Sequence, residues 1–175
     1  GYAYWPGLLI WQAPALKFFG DIRWGLFIAD VGSLLLLWVF MLRLQMRKIF
    51  AWFVLVLWIC FPVQNFVIEQ SWIDPILVFY SLFFAWAFLS KRWILAAISV
   101  GLLCATKQYG VWMGLLSLFA MYRQAGPSTF VKSVFTSAAA LFLTILPLAI
   151  QVWNGFYQMS IQSPLSQRVR LDSFS

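Results

Sequence analysis

Long apolar runs separated by one or two basic residues constrain this chain more than any other feature. The clearest run extends from Trp24 to Leu42 and contains one charge, Asp30. A helix rises about 1.5 Å per residue, so about 20 apolar residues cross a hydrocarbon core of roughly 30 Å. Hydrophobic residues make up 63% of the chain and charged residues 10%, against roughly 45–50% and 25% in soluble domains. The pattern predicts an all-α, polytopic transmembrane helical bundle and excludes a water-soluble globule.

Five apolar stretches predict about six membrane spans. They cover residues 24–42, 49–67, 75–89, 93–122 and 133–153. We expect the stretch 93–122 to cross twice with Lys107 near the turn, and two helices of about 15 residues would leave a recess open to the outer face. The opening stretch, Tyr4 to Phe19, fits an interfacial helix, although a seventh span fits its charge equally well.

The distribution of charge predicts the orientation of the bundle. With two crossings in 93–122, seven basic residues share one side of the membrane and four acids share the other. The basic set is Arg43, Arg47, Lys48, Lys91, Arg92, Arg123 and Lys132, and the acidic set is Asp21, Glu69, Asp74 and Asp172. Cytoplasmic loops retain Lys and Arg. We therefore expect a multi-pass protein of the plasma (inner) membrane with cytoplasmic basic loops, and the net charge of +7 then indicates orientation and not a nucleic-acid partner.

Residue types also limit the chemistry. The chain has no His, and Cys60 and Cys104 both fall inside apolar segments. A His-based triad is excluded, and a disulfide is unsupported. The sequence lacks an initiator Met and the features of a secretion signal. We treat residues 1–175 as a single transmembrane domain and expect it to be part of a longer chain.

Two clusters of polar residues between the predicted spans are candidate sites. The first contains Glu69, Gln70 and Asp74 in an outer turn, where a plain solvated loop with Asp74 capping the next helix is the alternative. The second contains Lys107 and Tyr109 at the predicted recess. A cation inside an apolar stretch costs a few kcal/mol unless it reaches water, a partner or an anionic ligand. Snorkelling of Lys107 to the interface is the alternative.

A third cluster and one isolated carboxylate complete the candidates. Arg168, Arg170 and Asp172 alternate in the polar tail, so in an extended segment they would face one ligand. The alternative is a solvated terminal loop. Asp30 lies about two turns into the first span, where a buried carboxylate needs a hydrogen-bonding or charged partner. No partner is evident from the sequence.

Several short segments occur in an order that resembles polytopic glycosyltransferases of the GT-C fold. The resemblance is closest to bacterial, mannosyltransferase-like members that use polyprenyl-phosphate sugars. The segments that carry it are Tyr-Ala-Tyr-Trp-Pro-Gly-Leu at 2–8, Phe-Gly-Asp-Ile-Arg at 19–23, Glu-Gln-Ser-Trp-Ile-Asp at 69–74, Ala-Thr-Lys-Gln-Tyr at 105–109 and the ending 163–175.

The resemblance implies a membrane enzyme that moves a sugar from a polyprenyl-phosphate donor to a glycan, lipid or protein acceptor on the outer face. It implies donor-phosphate binding by Lys107, Arg168 and Arg170. It also implies that a second group of residues contacts the sugar, binds a divalent cation or shapes the cavity. That group is Glu69, Gln70, Asp74 and Tyr109. The family's catalytic acid usually precedes its Tyr-Pro-Pro-like motif, where this chain begins, so no catalytic residue is assigned.

Two other functions fit the sequence. In a transporter or flippase component without catalytic activity, Lys107 and Asp30 would line a substrate path. If the chain is a purely structural membrane subunit, mutations that neutralise the outer charges should cause no loss of function.

Overall fold

A computed structural model describes residues 6–60, 68, 74–107, 110–151 and 153–157. Within them the chain forms helices and no strand, which confirms the all-α prediction. In the described residues, a 3-10 turn, Pro6–Leu8, leads into seven helices of five residues or more. These are α1 (Leu9–Phe19), α2 (Arg23–Arg43), α3 (Lys48–Cys60), α4 (Asp74–Leu89), α5 (Trp93–Thr106), α6 (Gly110–Gln151) and α7 (Trp153–Tyr157).

The apolar stretch 93–122 contains two helices, as the charge distribution predicts. Helix α5 ends at Thr106, and Lys107 is extended with φ −151° and ψ 146°. The amide of Gly110 donates to the carbonyl of Lys107 at 2.9 Å as α6 begins. Helix α6 is itself interrupted at Gly126, whose φ of 82° and ψ of 176° are not helical. Because Pro127 follows, the second arm of α6 begins there and not at Ser133, where the predicted last run starts.

Helices α2, α4, α5 and α6 form the body of the bundle, and two apolar clusters mark its ends. One cluster joins the first turns of α2 and α4 to the last turn of α5, with Leu26, Ile76 and Leu103 almost fully buried. The other joins the end of α4 to the start of α5, with Ala87 and Ala96 buried against Met121 of α6. Helices α2 and α4 therefore run in parallel, and α5 runs antiparallel to them.

Glycines set the closest approaches between these elements. A Cβ on Gly7 would lie 2.6 Å from the carbonyl carbon of Ala105, so the opening turn presses against the end of α5. Gly101 of α5 contacts the backbone of Ser137 in the second arm of α6. The hydroxyl of Ser137 donates to the carbonyl of Ala97 at 2.8 Å in the same interface. Small residues let the backbones of membrane helices approach each other closely.

The two ends of the bundle differ in charge. Arg43 closes α2 and donates to the hydroxyl of Ser90 at 2.9 Å and to the carbonyl of Leu89 at 2.7 Å. This joins the ends of α2 and α4 beside Lys91 and Arg92. We call it the basic end. The opposite end, where Asp21 and Asp74 lie at the starts of α2 and α4, is called the acidic end. Which end faces the cytoplasm stays a prediction.

By length, the described residues do not establish the number of membrane spans that the sequence predicts. Among the residues that the structure describes, two stretches are long and apolar enough to cross a membrane, Arg23–Arg43 and Gly110–Pro147, while α3, α4 and α5 are shorter apolar helices. The count of about six spans is therefore not established. Helix α1 has 11 residues, or about 16 Å, which is half of a hydrocarbon core of roughly 30 Å. Because residues 1–5 lie outside the described ones, the choice between an interfacial helix and a seventh span stays a prediction.

Candidate functional site

Two of the predicted site residues, Lys107 and Asp74, meet at the acidic end of the bundle. The Nζ of Lys107 lies 3.5 Å from Oδ1 of Asp74. Their side chains are 24% and 44% exposed, respectively. The sequence assigns these residues to separate clusters, and the antiparallel pairing of α4 with α5 brings them together. Lys107 therefore has an acidic neighbour and partial access to solvent.

The helix ends themselves favour both charges. Asp74 is the first residue of α4 and Pro75 the second, and a carboxylate is stabilised near the positive end of the helix dipole. Lys107 follows the last residue of α5, where the dipole favours a cation. The predicted helix from Pro75 is present, whereas the predicted capping by Asp74 stays a prediction because residues 69–73 lie outside the described ones. A structural role for the pair thus coexists with any role in binding.

The ion pair is a loose one. A strong bond between an ammonium and a carboxylate is about 2.7–2.9 Å long, whereas this contact measures 3.5 Å. Partly exposed pairs of this kind contribute roughly 0–1 kcal/mol to stability. The arrangement therefore places two opposite charges side by side at the ends of α4 and α5.

Hydrogen bonds between helices hold the part of α4 that follows Asp74. Tyr80 is 3% exposed and two turns further along α4 than Asp74. Its hydroxyl accepts a hydrogen bond from Nε1 of Trp11 at 2.8 Å, and its carbonyl accepts one from the hydroxyl of Ser99 at 2.7 Å. These contacts join α1, α4 and α5. A site formed at the helix ends therefore rests on packed elements.

A second ion pair occupies the acidic end, at the start of α2. Asp21 accepts a hydrogen bond from the backbone amide of Arg23 at 2.9 Å and from its Nε at 2.8 Å. These bonds, with the side-chain bond first, lower the pKa of Asp21 below its ordinary value. The sequence treats Asp21 as an orientation signal alone. An Asp two residues before the start of an apolar helix is the signal that would have predicted a hydrogen bond to the first helical amide.

Comparison with known proteins identifies the chain at the level of a family. A family model described as glycosyltransferase family 87 matches residues 2–172. The chain belongs to this glycosyltransferase family. Neither the curated proteins nor the solved structures give a significant match. The match confirms the resemblance to membrane glycosyltransferases of the GT-C type, and it covers both Lys107 and Asp74.

The other predicted site residues of this family 87 chain lie outside the described residues. They are Glu69, Gln70, Tyr109, Arg168 and Arg170. Their roles, and the recess whose rim they would form, stay predictions. Within the described part of the chain, no three Cys, Asp or Glu side chains are close enough to hold a metal ion. Asp74 is the one described member of the group predicted to bind a sugar or a divalent cation.

The buried carboxylate of Asp30 has a partner that the sequence does not reveal. The side chain is 7% exposed, and Oδ1 accepts a hydrogen bond from Nε1 of Trp58 in α3 at 3.0 Å. The bond accounts for a carboxylate within an apolar helix. Lys107 likewise stands at a helix end beside Asp74. The two charges that favour a transporter therefore have structural explanations, and membership of family 87 favours an enzyme.

Proposed function

We propose that this family 87 chain forms part of a membrane enzyme that transfers a sugar from a polyprenyl-phosphate donor to an acceptor at the acidic end of the bundle. The observation that carries the proposal is the position of Lys107, which lies 3.5 Å from Asp74 at the break between α5 and α6. A cation held at the rim of an apolar bundle suits a ligand whose lipid tail lies in the membrane and whose phosphate lies at its surface.

The chemistry of the transfer explains why a cation is needed there. The bond between the sugar's anomeric carbon and a phosphate oxygen breaks, and a bond to the acceptor oxygen forms. The acceptor hydroxyl loses its proton to a base, and the departing phosphate gains negative charge. A positioned cation stabilises that developing charge. In the proposal, Lys107 supplies it and Asp74 moves from Lys107 towards the sugar or a divalent cation as the donor binds.

In the proposal, five further residues complete the site. Arg168 and Arg170 would add cations at the donor phosphate, and Glu69, Gln70 and Tyr109 would contact the sugar. The acceptor would be a glycan, a lipid or a protein. In the proposed orientation the acidic end lies on the outer face of the plasma membrane, because the basic loops stay in the cytoplasm.

Donor kinetics of the full-length protein test this proposal. We would assay purified, reconstituted enzyme with a panel of polyprenyl-phosphate hexoses and compare Lys107→Gln, Lys107→Arg and wild type. Loss of a charged hydrogen bond to phosphate removes about 1.5–3 kcal/mol, so Lys107→Gln is expected to lower kcat/KM for the donor by roughly 10- to 100-fold. The arginine variant should recover part of this loss, because it keeps the charge.

Lys132→Gln is the matched control, because Lys132 is an exposed cation in the second arm of α6 and lies towards the basic end. It should leave kcat/KM unchanged. Wild-type donor kinetics in Lys107→Gln would contradict the assignment of Lys107 to the phosphate. If the wild-type enzyme transferred sugar from none of the polyprenyl-phosphate donors, the proposed donor class would be contradicted.

The proposed orientation has its own test. Single cysteines at Asp21 and at Lys132, in a background without Cys60 and Cys104, would be labelled on intact cells with a membrane-impermeant maleimide. We expect labelling at position 21 and none at position 132 until the membrane is opened. The reverse pattern would place the acidic end in the cytoplasm.

A further inference from the structure

Helices α2 and α3 enclose an apolar groove. Its volume is about 390 Å³, and all of its lining residues are aliphatic or aromatic. They include Val31, Leu35 and Trp38 of α2 and Trp52, Val56 and Ile59 of α3. The rings of Trp38 and Trp52 lie 5.3 Å apart at one end of the groove.

The groove is open, and little of α3 packs against the bundle. Ala51 is the single buried residue that α3 has along its described length. Leu35 is 62% exposed and Trp52 59%. Such surfaces are costly in water and natural in contact with lipid chains. The chemistry of the walls therefore suits a hydrocarbon chain.

One end of this groove is positively charged. Lys48 precedes Trp52 by one helical turn, about 6 Å along the axis, and Arg47 precedes Lys48. Both side chains are exposed, whereas Arg43 is engaged with Ser90 and Leu89. Residues 31–68 contain no Asp or Glu. Positive charge at the mouth and hydrocarbon along the walls match the two parts of an anionic phospholipid.

We propose that an anionic phospholipid occupies the groove between α2 and α3, with its headgroup at Arg47 and Lys48 and an acyl chain between Trp38 and Ile59. This lipid is distinct from the sugar donor. Helix α2 begins at the acidic end, near Lys107 and Asp74, and ends beside the basic loops. The groove's headgroup site and the proposed donor phosphate therefore lie at opposite ends of the bundle. The inference does not depend on the proposed function.

Fluorescence quenching by brominated lipids tests the proposal in the full chain. The protein would be placed in phosphatidylcholine nanodiscs that contain a small fraction of brominated phosphatidylglycerol, or the same fraction of brominated phosphatidylcholine. Subtracting the signal of Trp52→Phe isolates quenching at Trp52 among the 11 tryptophans. Near an anionic membrane surface each basic residue favours anionic lipid about fivefold. We therefore expect at least that enrichment at Trp52.

Arg47→Gln combined with Lys48→Gln should remove the preference, so that both brominated lipids quench Trp52 equally. Arg123→Gln with Lys132→Gln is the matched control, because it removes two exposed charges from α6 and leaves the groove intact. It should keep the preference. If the double variant folds poorly, Arg47→Gln alone should halve the preference or more.

Three results would overturn the proposal. Equal quenching of wild-type Trp52 by both lipids would show that the headgroup is not selected. A preference that persists after both charges are removed would place the headgroup elsewhere. Absence of quenching at Trp52 by any brominated lipid would mean that another part of the protein covers the groove.

Discussion

The ammonium of Lys107 lies 3.5 Å from the carboxylate of Asp74 and so links the end of α5 to the start of α4. Thirty-three residues separate the two positions in the chain. The pair is the meeting point of two sequence segments that resemble glycosyltransferases of the GT-C fold. A binding role and a stabilising role for this pair predict different effects of the same substitutions.

The stability of the Lys107 and Asp74 variants separates these roles. Lys107→Gln and Asp74→Asn are each expected to lower the free energy of unfolding by less than about 1 kcal/mol, because both side chains are partly exposed. The same Lys107→Gln variant should lose at least tenfold in donor kcat/KM, as argued above. Thermal unfolding in detergent and donor kinetics on one preparation provide the comparison. A large loss of stability with unchanged kinetics would make the pair structural.

The hydrogen bond between Trp58 and Asp30 predicts a coupled effect. Trp58→Phe removes a donor from a carboxylate that is 7% exposed, and loss of a bond to a buried group costs about 1–3 kcal/mol. Asp30→Asn should cost less, since the amide oxygen still accepts the bond. The double variant Asp30→Leu with Trp58→Phe should cost less than the sum of its single changes. Strict additivity in thermal unfolding would show that the two side chains do not interact.

The close contact between Gly7 and Ala105 predicts that Gly7 does not tolerate a side chain. An added Cβ would lie 2.6 Å from backbone atoms of Ala105, and overpacking of this kind typically costs about 1–3 kcal/mol. Gly7→Ala should therefore lower the unfolding temperature measurably. Leu143→Ala is a suitable control because Leu143 is 75% exposed. Equal stability of Gly7→Ala and wild type would contradict this contact.

The hydrogen bonds to Asp21 predict the pH dependence of the acidic end. Because Arg23 lowers the pKa of Asp21 in the folded protein, the pair's contribution is present above the unfolded pKa of about 3.9 and is lost as the pH falls through the folded value. Carbon NMR of the labelled carboxyl groups would show an Asp21 pKa below the ordinary value. Arg23→Gln should raise it. An unchanged pKa in that variant would remove Arg23 as the cause.

The sequence determined the features that depend on local composition. Apolar runs predict helices because only a helix satisfies its own backbone in lipid. The separation of basic from acidic loops predicts two helices within 93–122 with a break near Lys107, and the structure confirms the break. The GT-C resemblance, carried by short segments, agrees with the family match over residues 2–172. Each of these properties is readable along the chain without knowing which helices touch.

Tertiary structure alone decided which residues meet. Apolar side chains face lipid and protein alike, so hydropathy does not show which face of a membrane helix packs inward. The pairing of α4 with α5 brings Lys107 to Asp74, and the pairing of α2 with α3 brings Trp58 to Asp30 across 28 residues. Gly7 reaches Ala105 because the chain's opening turn folds back onto α5. Such contacts follow from helix direction and close packing, which no local pattern encodes.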